Sequence, residues 1–226
     1  MNATARDKFY ARRIRGVLTV TIPAEVIDEA TEGEITRATL EGSMLPQTYH
    51  YIYGDTRDDV IARMQAAMNK ALDDAWNKRA EGLPLKNKEE ALVLASIVEK
   101  ETGVAEERAR VAAVFVNRLR IGMRLQTDPS VIYGIEQQLG DAMNRPLTRA
   151  DLETPTAYNT YVIDGLPPTP IANPGISAIE AALHPAQTDE LYFVATGNGG
   201  HNFAKTLEEH NANVAVYRAA LASAAR

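Results

Sequence analysis

The sequence predicts an α+β fold, dominated by helices and carrying short strands. Three observations point to it. Apolar residues recur at helical spacing over several turns between residues 56 and 81, and an almost wholly apolar run, "ALVLASIVEKETG", occupies residues 91–103. Strand-like patterns are confined to short stretches such as "VLTVTI" and "ELYFVAT". The 226 residues, 45% of them hydrophobic, suffice for one substantial core, alone or with a small appendage.

Taken in order, residues 1–40 are poorly patterned apart from the alternation at Val17 to Ile22, and they are not assigned a separate fold. "EGSMLPQTYHYIYGDT" has turn residues at both ends and alternating Tyr49, Tyr51 and Tyr53, the pattern of an extended segment laid on a core. A helix follows over "TRDDVIARMQAAMNKALDDAWNKRAE", with Val60, Ile61, Met64, Ala67, Met68, Ala71, Leu72 and Trp76 on its apolar face. "GLPLKNK" ends it, and Asn87 is the expected N-cap of the next helix, which breaks at Gly103. "VAEERARVAAVFVNRLRIG" is a further helix, with Glu106 and Glu107 in its first turn and Arg118 and Arg120 in its last, the order the helix dipole prefers. In "LQTDPSVIYGI", Asp128 is the expected N-cap with Pro129 at the first helical position. "LTRADLE" offers a capping box between Thr148 and Asp151. Residues 154–175 are too rich in proline for regular elements and predict a rigid loop. "ISAIEAALHPA" reads as a short helix, "ELYFVAT" as a buried strand, "GNGGHNFAK" as a tight glycine turn, and "TLEEHNANVAVYRAALASAA" as the closing helix.

Composition removes several functions. With 24 Lys+Arg against 30 Asp+Glu, the net charge of −6 supplies no broad basic face for a phosphate backbone, so nucleic acid is not an expected partner. The absence of cysteine excludes disulfides, thiolate nucleophiles and zinc–thiolate sites together. The first twenty residues are basic but lack the continuous apolar stretch of a signal peptide or membrane span. As given, the chain reads as soluble.

The apolar helix ends in Glu99-Lys100-Glu101, an odd place for carboxylates. On a wheel of about 100° per residue, Glu101 lies over Ile97 and Leu94, Glu99 over Ala95 and Leu92, and Lys100 points away with Ser96. A helix apolar nearly all round is buried, so either glutamate borders hydrophobic surface. Glu101 is in the last turn before Gly103, where the negative end of the dipole and desolvation both disfavour the charged carboxylate. A glutamate that keeps its proton near neutral pH is what a general acid has to be. The same spacing also fits two solvated acids where a core helix reaches the surface, and geometry does not choose between them.

Other chemistry has weaker signals. The four histidines, His50, His184, His201 and His210, show no metal-ligand spacing, and no serine elbow, P-loop or dinucleotide fingerprint is present. His201 in "GNGGHNF" is either an imidazole displayed beside Phe203 or a plain turn residue. "AYNTY" and "LQTD" carry hydroxyls, amides and ring faces of the kind that hold sugars, although Asp128 also reads simply as a cap.

Several stretches together, "LASIVEKET", "VFVNRLRIGMRLQTDPSVIYG", "ADLETPTAYNTY", "GLPPTPIANPG", "AALHPA" and "LYFVATGNGGHNF", closely resemble the endolytic murein transglycosylase family known as MltG or YceG-like. The match runs in order from about Glu41 to the C-terminus. It implies a helix-rich YceG-like catalytic domain over residues 41–226, a lyase that cleaves the β-1,4 bond between N-acetylmuramic acid and N-acetylglucosamine within nascent peptidoglycan strands. The product end is a 1,6-anhydro-muramyl sugar. The family's catalytic glutamate corresponds to the second acid of the triplet, Glu101, acting first as general acid and then as base toward the muramyl C6 hydroxyl. Because the nucleophile lies within the substrate, no second carboxylate is needed. Gln126, Thr127, Asp128, Tyr158, Asn159, Thr160, Asn173 and His201 fall in the shared motifs and are expected to orient the sugars. The proline-rich loop at 165–174 is the expected wall against water.

The resemblance implies no cofactor and no metal, glycan strands as substrate, and cell-wall synthases as possible protein partners. Members carry a cytoplasmic stub, one membrane span and a LysM-like module ahead of the catalytic region, and work on the extracytoplasmic face of the bacterial inner membrane. Residues 1–40 hold neither the span nor a full module, so they are read as a truncated remnant and the chain as a shortened form or fragment. Two other readings stand beside this one. A glycan hydrolase would use Glu101 as acid with Asp128 or Glu99 activating water, and a glycan-binding scaffold would use no acid at all. An older family label, aminodeoxychorismate lyase, needs a pyridoxal phosphate lysine, and nothing around Lys100 suggests that role.

Overall fold

The structure, a computed structural model, describes residues 16–19, 41–51 and 55–224, with residues 16–19 and 224 as backbone only. Apart from residues 16–19, the expected module remnant at 1–40 lies outside the described residues, as do the rest of the Val17 to Ile22 alternation and Tyr53. Strand β1 (Gly16–Thr19) pairs antiparallel with β2 (Thr48–Tyr51), Leu18 opposite Tyr49. Alternation turns Tyr49 inward, where it joins Met44, Val60 and Met64 in a small cluster and donates its hydroxyl to the Leu45 carbonyl at 2.8 Å.

Helix α1 (Arg57–Asn77) starts at Thr56, whose hydroxyl accepts from the Asp59 N–H while the Asp59 carboxylate accepts from the Thr56 N–H. Its Val60, Met64, Met68 and Leu72 are buried as one stripe, as their spacing predicts. α2 (Lys88–Glu101) is capped by Asn87, which accepts from the Glu90 N–H at 2.8 Å. It is the central helix, packed on α1, on α3 (Arg108–Arg120), on α4 (Asp128–Leu139) and on α6 (Ile176–Leu183). Leu94, Ile97 and Val98 have no exposed surface, so truncating Leu94 or Ile97 to alanine costs about 2–5 kcal/mol. Lys100 is exposed, but Ser96 is not its companion. The Ser96 hydroxyl donates to the Val93 carbonyl and accepts from the Ile171 N–H at 3.0 Å, which ties the proline-rich loop to the core helix.

Two boundaries differ from expectation. Glu106 and Glu107 fall in a separate 3₁₀ turn (Ala105–Glu107) ahead of α3. Arg118 stands in the last turn of α3 as expected, with its side chain buried and donating to the Leu191 and Leu125 carbonyls at 2.6 Å. The N-cap of α4 is Thr127, with Asp128 as first helical residue. The capping box of α5 (Arg149–Glu153) is present as expected, and Arg145 grips Asp151 with two bonds of 2.6 and 2.8 Å. Arg145, then Thr148, hold the Asp151 carboxyl well below the usual carboxylate range.

Residues 154–175 contain no helix or strand, and after α6 the chain forms a hairpin of β3 (Tyr192–Ala195) and β4 (His201–Ala204), Phe193 opposite Phe203. β3 is half-buried rather than buried, and the segment read as one glycine turn contains all of β4. The turn proper needs Gly197 and Gly199 at φ +88° and +99°. α7 (Leu207–Ala224) packs on this hairpin. Among the described residues no helix is long and apolar enough to cross a membrane.

Candidate active site

The last residue of α2 and the cap of α4 meet. The Thr127 side chain does not cap its own helix; its hydroxyl donates to Glu101 Oε1. Glu101 is partly accessible as a residue, yet its carboxyl is enclosed by protein, and burial raises its pKa above the ordinary glutamate value. The Thr127 hydroxyl opposes that shift, the Asp128 charge adds to it, and His201 and Arg118 work against it. Desolvation is the larger influence, so the net shift favours the protonated acid, while the Thr127 hydroxyl is a donor for the anion.

Thr127 is itself fixed. Its N–H donates to the Thr160 hydroxyl at 2.9 Å, the Gln126 N–H donates to the Thr160 carbonyl at 3.1 Å, and Ser130 and Thr160 share a hydroxyl bond of 2.8 Å. Thr160 and Ser130 are wholly buried. Gln126 sits at φ +50° with its side chain exposed, a strained backbone held in place by these bonds beside the acid. Asp128 is exposed, and its Oδ1 accepts from the Tyr161 hydroxyl at 2.6 Å. Burial, then the Asp128 bond and the charges of Asp128 and Glu101, hold the Tyr161 phenol far above the usual tyrosine range, so it stays a donor.

Two further groups act on Glu101 through their charges: the buried Arg118 guanidinium and His201 on β4. His201 is clamped by one carboxylate, its N–H to Glu107 Oε1 at 3.0 Å and its Nδ1 against Glu107 Oε2 at 2.8 Å.

Of the residues expected at the site, the structure gathers Glu101, Thr127, Asp128 and His201, with Gln126 alongside. The others are occupied elsewhere. Asn159 is fully buried; its Nδ2 donates to the Leu152 and Thr154 carbonyls at 3.0 and 2.6 Å, and its Oδ1 accepts from the Tyr161 N–H. Thr160 orders Thr127, Asn173 accepts from the Met44 N–H at 3.0 Å, and Tyr158 bonds Thr169 at 2.7 Å while packing edge-on against Tyr133. Glu99 accepts from the Gly175 N–H at 3.0 Å, at the start of α6. Arg118, Tyr161 and Glu107 were not expected at the site, because each reaches it through partners distant in the chain; Tyr161 alone had a signal, inside "AYNTY".

The YceG-like family model matches residues 4–216. Endolytic murein transglycosylase of Bacillus subtilis (strain 168) is 43% identical over 173 residues, covering 76% of this chain and 46% of that protein. The protein of the same name from Streptococcus pneumoniae serotype 2 is 35% identical over 182 residues, covering 79% and 32%. A crystal structure of a yceG-like protein from Listeria monocytogenes superposes with a TM-score of 0.65 at 39% identity, over 80% of this chain and 57% of that one. The chain thus spans less than half the length of these two curated relatives. With the family model covering nearly all of it, the chain belongs to the YceG-like family.

Proposed function

We propose that this chain is the catalytic region of an endolytic peptidoglycan transglycosylase, with Glu101 as its single acid–base group. The carboxylic acid gives its proton to the glycosidic oxygen between N-acetylmuramic acid and N-acetylglucosamine, and the β-1,4 bond breaks. The carboxylate so formed takes the proton of the muramyl C6 hydroxyl as that oxygen closes on C1, which leaves a 1,6-anhydro end and restores the acid. One observation carries this reading: a buried carboxyl, raised in pKa, that accepts a hydrogen bond from a fixed hydroxyl. Burial keeps the proton available for the first step, and Thr127 steadies the anion before the second.

We assign glycan contact to Gln126, Asp128 and His201, which retain accessible surface, and positioning to Thr160, Asn159, Asn173 and Tyr158, whose polar atoms hold loops. The substrate sets the location: nascent glycan lies outside the bacterial cytoplasm, so the whole protein works there, held by an N-terminal anchor beside cell-wall synthases. A hydrolase is the second reading, favoured by the charge of Asp128 acting on Glu101. Incubation of the purified chain with uncrosslinked glycan strands, followed by mass spectrometry of the ends, separates them. Internal cuts with anhydro ends support the transglycosylase; ends one water heavier establish the hydrolase.

A further inference from the structure

His201 stands at the first position of β4, opposite Ala195, with its ring edge-on to Phe193 at 5.3 Å and to Phe203 at 6.3 Å. Glu107 meets the residue with both carboxylate oxygens, Oε1 at the main-chain N–H and Oε2 at the ring Nδ1. The fit extends to the neighbour: a Cβ on Gly200 would lie 3.0 Å from Glu107 Oε1, so glycine there leaves room for the clamp. Arg110 lies over the Phe203 ring at 4.2 Å and grips Glu190 with two bonds, which anchors the same hairpin to α3. Burial works against the Glu107 charge, but the bonds from the His201 N–H and ring, with the charges of His201 and Arg110, outweigh it and hold the carboxyl below its ordinary range. An ionised carboxylate only accepts hydrogen bonds, so the nitrogen facing it has to carry a proton. Among the described residues no protein group bonds the other ring nitrogen.

We infer that Glu107 is a positioning residue: it fixes the neutral His201 ring as the Nδ1–H form and presents its Nε2, on the side of the site that includes Glu101, as the acceptor for a hydroxyl of the bound glycan. This rests on the glycan-cleaving reading above and adds a residue to it. Glu107→Gln keeps size and the acceptor for the His201 N–H, but turns an amide N–H₂ toward Nδ1. The ring then carries its proton on Nε2 and offers the glycan a donor where an acceptor is needed.

The test has three arms. ¹⁵N NMR at about pH 8.5, where free imidazole is neutral, reads the tautomer: Nδ1–H in the parent chain, Nε2–H in Glu107→Gln. Affinity for uncrosslinked glycan strands is compared in a Glu101→Gln background, which does not turn over; adding Glu107→Gln weakens binding about tenfold. A double-mutant cycle completes it, since Glu107→Gln adds no further loss once His201→Gln is present, whereas a purely structural glutamate would still cost affinity there. Nε2–H in the parent, unchanged affinity in Glu107→Gln, or additive losses in the cycle would each overturn the inference. Glycan cleavage by the parent with no effect of Glu107→Gln leaves the functional reading standing and this one refuted; absence of both binding and cleavage refutes both.

Discussion

The Thr127 hydroxyl donates to the Glu101 carboxylate across the gap between the end of α2 and the start of α4. Threonine at an N-cap ordinarily bonds its own helix, and here that bond is absent. The hydroxyl is spent on the acid instead. Removing it leaves burial unopposed by this donor, so in Thr127→Val the Glu101 pKa rises further. The high-pH limb of the rate profile, where the acid loses its proton, moves upward in that variant. A hydrogen bond to a charged group contributes about 1.5–3 kcal/mol, so kcat falls about tenfold to a hundredfold.

Glu101→Gln abolishes the acid, and strand cleavage falls by at least about a hundredfold. Stability moves the other way. In the folded chain burial raises the Glu101 pKa above its unfolded value, so the native state binds the proton more tightly and stability declines as pH rises from the unfolded pKa through the folded one. Glutamine carries no such penalty. Melting temperature is therefore higher in the variant at pH 7–8, with the gap closing as pH falls to about 4. A melting curve series across pH checks the direction.

Asn159→Ala leaves the Leu152 and Thr154 carbonyls and the Tyr161 N–H without their partner inside the protein. Buried groups stripped of a partner cost about 1–3 kcal/mol each, so the variant loses about 2–3 kcal/mol in urea unfolding after partial relaxation. Because Tyr161 and Thr160 follow directly, activity falls as well.

Gly42 has φ +81°, and a Cβ there would lie 2.4 Å from Pro170 Cγ. Gly42→Ala therefore forces residues 41–45 away from the proline-rich loop and lowers the urea midpoint, equivalent to about 1–3 kcal/mol.

What the sequence made legible were local devices and one acid. The Asn87 cap, the Thr148–Asp151 box and the α1 stripe depend on residues three or four apart, and each is found where its spacing put it. Glu101 was one of two acids that the end of the apolar helix offered, and the family resemblance chose it; the fold encloses its carboxyl in protein. The misreadings share a cause. Asp128 was read as the cap by residue preference, but the cap position falls on Thr127, and Glu101 and Tyr161, 26 and 33 residues away, claim the Thr127 and Asp128 side chains. Asn159 and Thr160 look like ligand-binding residues because polarity alone does not say whether a group serves a sugar or a buried main chain. Arg118 was legible as a last-turn cation of α3, but the Leu191 carbonyl that its buried guanidinium meets lies 73 residues away and left no mark in the local sequence.

The most direct test of the account is the titration of Glu101 itself, read from its side-chain carboxyl by ¹³C NMR in the parent chain and in Thr127→Val. The account predicts a midpoint above the ordinary glutamate value of about 4.3 in the parent and higher still in the variant. A parent midpoint at or below that value would contradict it, because a glutamate already ionised at neutral pH has no proton to give the glycosidic oxygen.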